Sequence, residues 1–183
     1  MQVVGISGSM RRDGNTAKLV RLILDRVKAA GIKAQYITLA DKVIKPCLGC
    51  ENCKEDRACS IRNDDWQKII EKVLACEVLV LGSPTYYYDV NGQTKNFIDR
   101  TYSLYHDRRL AGRSAVGIAV HADDGGGRAL QTMEGFFSSH EFVYLGHVVG
   151  KGYLAGEVLG DRTAMRDAEE IGRKIVRLLR PQD

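Results

Sequence analysis

Hydrophobic positions along this chain switch repeatedly between a two-residue and a 3.6-residue period, the mark of strands alternating with helices. Val3-Val4-Gly5-Ile6 is an unbroken apolar run and predicts a buried strand from Gln2 to Ser7. In Ala17-Lys18-Leu19-Val20-Arg21-Leu22-Ile23-Leu24 the apolar residues fall at helical spacing, which predicts a helix from Asn15 to Ala30, ended by Gly31. Lys33 to Leu39 alternates and reads as a second strand, and Asp64-Asp65 can cap a helix running to Ala75. Glu77-Val78-Leu79-Val80-Leu81-Gly82 is the clearest buried strand. A helix from Asn91 to Tyr105, a strand from Arg113 to Val120, a helix from Ala129 to Ser138, a strand from Phe142 to Val149 and a helix from Met165 to Leu179 complete the series. This alternation predicts an α/β fold: a three-layer sandwich with a five-stranded parallel sheet of order 2-1-3-4-5 and helices on both faces. Ligands of such sheets bind at the C-terminal ends of the strands, where strand order reverses.

Three connections leave strands at that rim. The first, Gly8-Ser9-Met10-Arg11-Arg12-Asp13-Gly14-Asn15-Thr16, turns tightly from strand into helix and aims several backbone N–H groups, with the positive end of the helix, at one spot. The Ser9 and Thr16 hydroxyls, the Asn15 amide and the Arg11 guanidinium can complete a phosphate cradle; the same residues also suit a plain capped helix with Asn15 or Asp13 as N-cap. The second connection, Ser83-Pro84-Thr85-Tyr86-Tyr87-Tyr88-Asp89, is dense in aromatics, and Pro84 is expected to end the strand by removing a donor. A phosphate cradle facing an aromatic wall suits a mononucleotide with a large ring, and FMN fits better than a dinucleotide because the first loop is not G-x-G-x-x-G. Three tyrosines can equally decorate a surface or an oligomer contact. In the third connection, Gly125-Gly126-Gly127 can bring backbone close to the pyrimidine edge of such a ring. Of the four histidines, only His121 falls at the expected mouth of the site.

Cysteine usage adds a second chemistry. Four of the five cysteines lie within a short, aperiodic stretch, as Cys47-x2-Cys50-x2-Cys53-x5-Cys59, while Cys76 precedes a buried strand as a small core residue. Close spacing strains disulfides but lets thiolates wrap one compact object. Zinc sites usually show two separated C-x2-C knuckles, whereas C-x2-C-x2-C is the spacing of ferredoxin cluster loops. A redox-labile loop that binds nothing is the remaining alternative.

With 183 residues the chain is expected to form one domain, residues 1–183, with a Cys-rich insertion at 46–60. A net charge of +4, spread along the chain without a dense Lys/Arg block, argues against nucleic acid as a partner. No run is apolar and long enough to span a bilayer and the N-terminus lacks a secretory pattern, so the expected location is cytoplasmic, without membrane attachment.

Taken together, the motifs resemble the flavodoxin-like NADPH-dependent FMN reductase superfamily, and within it the iron–sulfur flavoproteins. Gly8-Ser9-Met10-Arg11…Gly14-Asn15-Thr16 is similar to that family's phosphate loop G-S-P-R-x-x-G-N-T, with Met10 in place of Pro. Gly82-Ser83-Pro84-Thr85-Tyr86-Tyr87…Gly92-Gln93-Thr94-Lys95…Phe97-Ile98-Asp99-Arg100 is similar to its isoalloxazine loop and following helix. The resemblance implies FMN held at Ser9, Met10, Arg11, Asn15, Thr16, Pro84, Thr85, Tyr86, Tyr87, Asp89, Gly126 and Gly127, and a [4Fe–4S] cluster on Cys47, Cys50, Cys53 and Cys59. It also implies a homo-oligomer, a homodimer or homotetramer, in which the Asp107-Arg108-Arg109 region can meet a neighbour. The expected activity is an FMN-dependent oxidoreductase passing electrons from NAD(P)H or a ferredoxin-type donor through the flavin to the cluster. The alternatives are an NAD(P)H-dependent FMN or quinone reductase without a cluster, and a non-enzymatic electron carrier or redox sensor. No side chain is assigned as acid or base.

Overall fold

A computed structural model describes residues 2–180. In chain order the elements are β1 (Gln2–Ser7), α1 (Asn15–Ala29), β2 (Lys33–Thr38), α2 (Cys53–Asp56), α3 (Trp66–Leu74), β3 (Val78–Tyr86), β4 (Asp89–Val90), α4 (Gly92–Arg100), α5 (Tyr102–Tyr105), β5 (Ser114–His121), α6 (Gly126–Ser139), β6 (Val143–Lys151) and α7 (Arg162–Leu179). Five strands pair side by side in the order β2-β1-β3-β5-β6, all parallel, and the two-residue β4 folds back antiparallel onto the end of β3. Leaving β4 aside, that path is the expected 2-1-3-4-5; the sheet nevertheless has six strands rather than five.

The central strand explains the layering. Val78 and Val80 pack with Leu19, Val20 and Ile23 of α1 and Ile171 and Ile175 of α7. Leu79 and Leu81 point the other way, into a cluster with Ile69 and Ile70 of α3, Phe97 of α4 and Met133 and Phe137 of α6. All four of these β3 residues are fully buried, so a strand covered on both faces reads as a continuous apolar run instead of an alternating one.

Helices α6 and α7 begin three residues earlier than expected, and two further boundaries differ for reasons the structure shows. Pro84 does not end β3, which continues to Tyr86 with Pro84 opposite Val120. The carbonyl of Gly82 faces β1, where it accepts from the Gly8 N–H at 2.7 Å. Two residues on, the missing donor of Pro84 faces the same side, which β1 has already left after Ser7, so the ladder loses nothing. The helix expected from Asn91 to Tyr105 is instead two, α4 and the single turn α5. At their junction the Thr101 hydroxyl donates to the Ile98 carbonyl at 2.6 Å, a back-bond that bends helices. Among the described residues, no helix is long and apolar enough to cross a membrane.

Candidate functional site

The turn from β1 into α1 is built around Gly14, which is the N-cap residue, with no side-chain cap and no acidic residue in the first helical turn. Neither Asn15 nor Asp13 caps: Asp13 pairs with Arg21 at 2.6 Å, and the Asn15 amide is engaged elsewhere. Its nitrogen donates to the Leu154 carbonyl at 2.9 Å, and its oxygen accepts from the Gly156 and Val158 N–H groups at 2.8 and 3.4 Å. Arg11 donates to the Tyr153 carbonyl at 2.8 Å, and its own N–H reaches the Ser9 hydroxyl oxygen at 3.1 Å. Two phosphate-loop side chains therefore dock the 152–158 segment, while Thr16 is buried against Gly82 and Met10 is exposed. The helix end itself stays free of any carboxylate from its own first turn, as an anion site requires.

The aromatic connection is a β-hairpin. Tyr86 pairs with Asp89, and the two turn residues Tyr87 and Tyr88 have φ of 50° and 66°. Positive φ at both turn positions is the twist-matching geometry that normally takes Asn-Gly, so here two tyrosines occupy a costly conformation. Tyr87 is 99% exposed. Asp89 accepts from the Val90 N–H at 2.6 Å and the Thr132 hydroxyl at 2.7 Å, tying the hairpin to α6. The start of α6 lies against the same hairpin: a Cβ on Gly125, whose φ is +96°, would sit 2.9 Å from the Tyr88 Cα. Gly126 starts α6 beside the His121 ring, and Gly127 faces open space.

A residue that sequence reasoning missed joins the first two connections. Asn91, buried, donates from Nδ2 to the Gly8 carbonyl at 2.7 Å. Its Oδ1 accepts from the Thr94 N–H at 3.3 Å, the Thr94 hydroxyl at 2.6 Å and the Ser83 hydroxyl at 3.3 Å. It thereby caps α4 and holds the phosphate loop against the hairpin. The local signal was the Asn91-Gly92-Gln93-Thr94 cap; the partner, 83 residues away, was invisible. Gly8 meets Thr94 so closely that a Cβ would lie 1.8 Å from its hydroxyl oxygen. At the C-terminal ends of β1, β3 and β5, the Ser7 hydroxyl, the Thr85 hydroxyl and the His121 Nδ1 are buried with no partner among the described residues. Unmatched polar atoms at this rim, beside an uncapped helix end, fit a phosphorylated planar ligand.

The thiol-rich segment lies between β2 and α3. Cys47, Cys50, Cys53 and Cys59 all line one small cavity, with Arg100 at its wall. Cys53 is the buried member: burial pushes its thiol up, and the charges of Cys59, Cys47 and Cys50 add to this. Cys50 is drawn down by hydrogen bonding to the Ser60 hydroxyl, 3.4 Å away, and to the Asn52 backbone. His106 Nε2 lies 3.8 Å from the Cys53 sulfur. Among the described residues, no three Cys, His, Asp or Glu side chains gather around a single metal ion. A tetrahedral zinc ion, with bonds of about 2.3 Å, would draw its sulfurs to within about 3.8 Å of one another. The four soft donors share the lining of one cavity without that convergence.

The neck of this segment is closed by a buried ion pair, Arg100 with Asp64 at 2.6 Å, both side chains fully inaccessible. Burial pushes the Asp64 carboxyl up, but the hydrogen bond from Arg100, the Lys45 and Trp66 N–H groups and the guanidinium charge outweigh it and hold it below the usual carboxylate range. Helix α4 thus has Asn91 at one end, among the flavin-type loops, and Arg100 at the other, in the thiol segment. A groove of about 630 Å³ passes between the same regions, from Thr132 to Cys47, lined by Tyr102, Tyr105 and Phe136.

Residues 1–154 match the model of the NADPH-dependent FMN reductase family. The chain belongs to this family. It is an FMN-dependent oxidoreductase with a flavodoxin-like fold, and FMN is the family's cofactor. It is 34% identical to an iron-sulfur flavoprotein of Methanocaldococcus jannaschii, over 98% of both chains. It is 32% identical to an iron-sulfur flavoprotein of Archaeoglobus fulgidus, over 96% of this chain and 79% of that one. Among solved structures, a flavodoxin from the domain Archaea superposes with a TM-score of 0.64, covering 97% of this chain and 98% of the other at 12% identity, a likeness of fold alone.

Proposed function

We propose that this family member is an iron–sulfur flavoprotein: one flavodoxin-like unit that binds FMN at the sheet rim and a [4Fe–4S] cluster on Cys47, Cys50, Cys53 and Cys59. The observation that carries the cluster assignment is the lining of one cavity by all four thiols. Iron-sulfur flavoproteins among the relatives support it.

When bound, FMN supplies reversible two-electron and one-electron chemistry, and a thiolate-held cluster supplies one-electron storage. The chain's own groups bind and orient. The backbone of Ser9 to Thr16 and the α1 N-terminus receive the phosphate; Arg11 adds charge there. Backbone of Pro84 to Tyr86 and Gly126 to Gly127 would hold the ring edge, Thr85 would offer its unmatched hydroxyl, and Tyr86 and Tyr87 would offer aromatic faces to the ring. Asp89 fixes the hairpin to α6 through Thr132, so the wall does not drift from the third connection. This reading implies a reduced donor, NAD(P)H or a ferredoxin-type protein. Tyr86, Tyr87, Tyr88, Tyr102 and Tyr105, all exposed in the isolated chain, support a homo-oligomer that covers them.

Protein purified anaerobically is expected to contain iron and sulfide in near-equal amounts together with FMN, and dithionite is expected to bleach separate flavin and cluster bands. Iron-free yellow protein would favour the second reading, a NAD(P)H-dependent FMN reductase without a cluster. That reading draws on the family description.

A further inference from the structure

We propose that Arg100 and Asp64 form a potential-setting clasp on the thiol site, with Arg100 positioning Cys59 and donating to its sulfur. This rests on the cluster reading above and extends it to residues that are not ligands.

The geometry is specific. Arg100 Nε donates to the Cys59 sulfur at 3.2 Å. Nη1 donates to the Lys45 carbonyl at 3.1 Å and to Asp64 Oδ2, and Nη2 donates to the Ile61 carbonyl at 3.1 Å. The guanidinium carbon lies 4.9 Å above the Trp66 ring centre. The fork therefore touches the chain just before Cys47, just after Cys59, and Cys59 itself. Asp64 accepts from the Lys45 and Trp66 N–H groups at 3.0 and 3.1 Å, so the acid is fixed from the other side. A fully buried ion pair is a poor source of stability, because desolvating both charges offsets their attraction. What this pair does supply is a rigid cation beside one sulfur with a rigid anion immediately behind it.

A cationic N–H donor to a ligand sulfur favours the more negative, reduced form of an iron–sulfur centre; an anion nearby opposes it. The two residues therefore act in opposite directions. Lysine in place of Arg100 keeps a cation that can meet Asp64, but one ammonium lacks the fork that also holds Cys59. Arg100→Lys is expected to lower the cluster's reduction potential, and Asp64→Asn, which removes the anion but keeps one oxygen acceptor for either the Lys45 or the Trp66 donor, to raise it. A tenfold change in the ratio of reduced to oxidised centre at fixed solution potential corresponds to about 59 mV for one electron; each variant is expected to shift by about threefold to tenfold.

The measurement is a redox titration of the anaerobic protein followed by the spin signal of the reduced cluster, with iron, sulfide and FMN contents determined on the same samples. Opposite shifts in the two variants, at wild-type FMN content, support the clasp; a clasp that only braces the loop would leave the potential of the bound centre where it was. Unshifted potentials, or shifts of one sign, overturn it. Iron-free wild-type protein overturns the cluster reading and the clasp together, whereas iron-loaded wild type with unshifted variants overturns the clasp alone. Should Arg100→Lys fail to fold, the sign of the Asp64→Asn shift decides.

Discussion

Asn91→Ala removes one small, buried amide from the point where two ligand-binding connections meet. The capping bond to the Thr94 N–H is lost, worth about 1 kcal/mol. The Gly8 carbonyl and the Thr94 hydroxyl lose partners at 2.7 and 2.6 Å in a site closed to water. Each unmatched buried group costs about 1–3 kcal/mol, reduced where the Thr94 hydroxyl can rotate to a new acceptor. A net loss of about 2–4 kcal/mol follows, or a fall in melting temperature of roughly 5–15 °C for a chain of this size. Flavin-free protein should be used for the unfolding curves, because bound cofactor would add its own stabilisation. Flavin affinity, read separately from quenching of FMN fluorescence, is expected to weaken at least tenfold, since the phosphate loop and the hairpin are no longer fixed to one another. A variant that unfolds within about 0.5 kcal/mol of the wild type and binds FMN equally well would refute the view that Asn91 joins the two halves of the site.

His140 is expected to make stability pH-dependent. Burial lowers its pKa from 6.5 to about 4. The unfolded chain takes up this proton below about 6.5 and the folded chain only near 4, so the contribution is complete above the unfolded value and is lost as pH falls from 6.5 to 4. A difference of this size amounts to about 3 kcal/mol, and urea denaturation across that window should be flatter in His140→Gln. Gly125→Ala places a Cβ 2.7 Å from the Tyr88 ring on a residue with φ of +96°, and is expected to cost about 1–3 kcal/mol and to weaken FMN binding, both measurable by the same two assays.

Where the sequence could be read, two signals agreed. Val78 to Leu81 is apolar on every residue because helices cover both faces of β3, and the same fact puts its C-terminal end at the switch point of the sheet. The thiol spacing was legible because the four cysteines that line one cavity also lie close along the chain. What escaped notice depended on closure in space. The two residues of β4 are a strand only because the hairpin folds them back, and Tyr87-Tyr88 carries none of the glycine or asparagine that announces such a turn. The break after Arg100 follows from one threonine hydroxyl turning back on its own helix. Arg100 itself stood in plain view in a family-like motif, yet its hydrogen-bond partners lie 36 to 55 residues away, and no local pattern distinguishes a solvated arginine from a clasp. Asn15 shows the converse: a residue type well suited to a phosphate is occupied with Leu154 and Gly156, and its contribution to the ligand loop runs through the segment it docks.

The neck formed by Arg100 and Asp64 has a consequence for how such proteins can diverge. Residues 46–60 leave the scaffold and return to it between Lys45 and Ile61, whose carbonyls Arg100 holds together, apart from the strand pairings that build the sheet. Closing a longer or shorter segment at a fixed neck changes the entropy only slowly with length. The segment is in this sense a cassette: cysteines can be gained, respaced or discarded inside it while the flavin platform beneath keeps its shape, and an ancestral flavin enzyme could acquire a second redox centre without rebuilding the first.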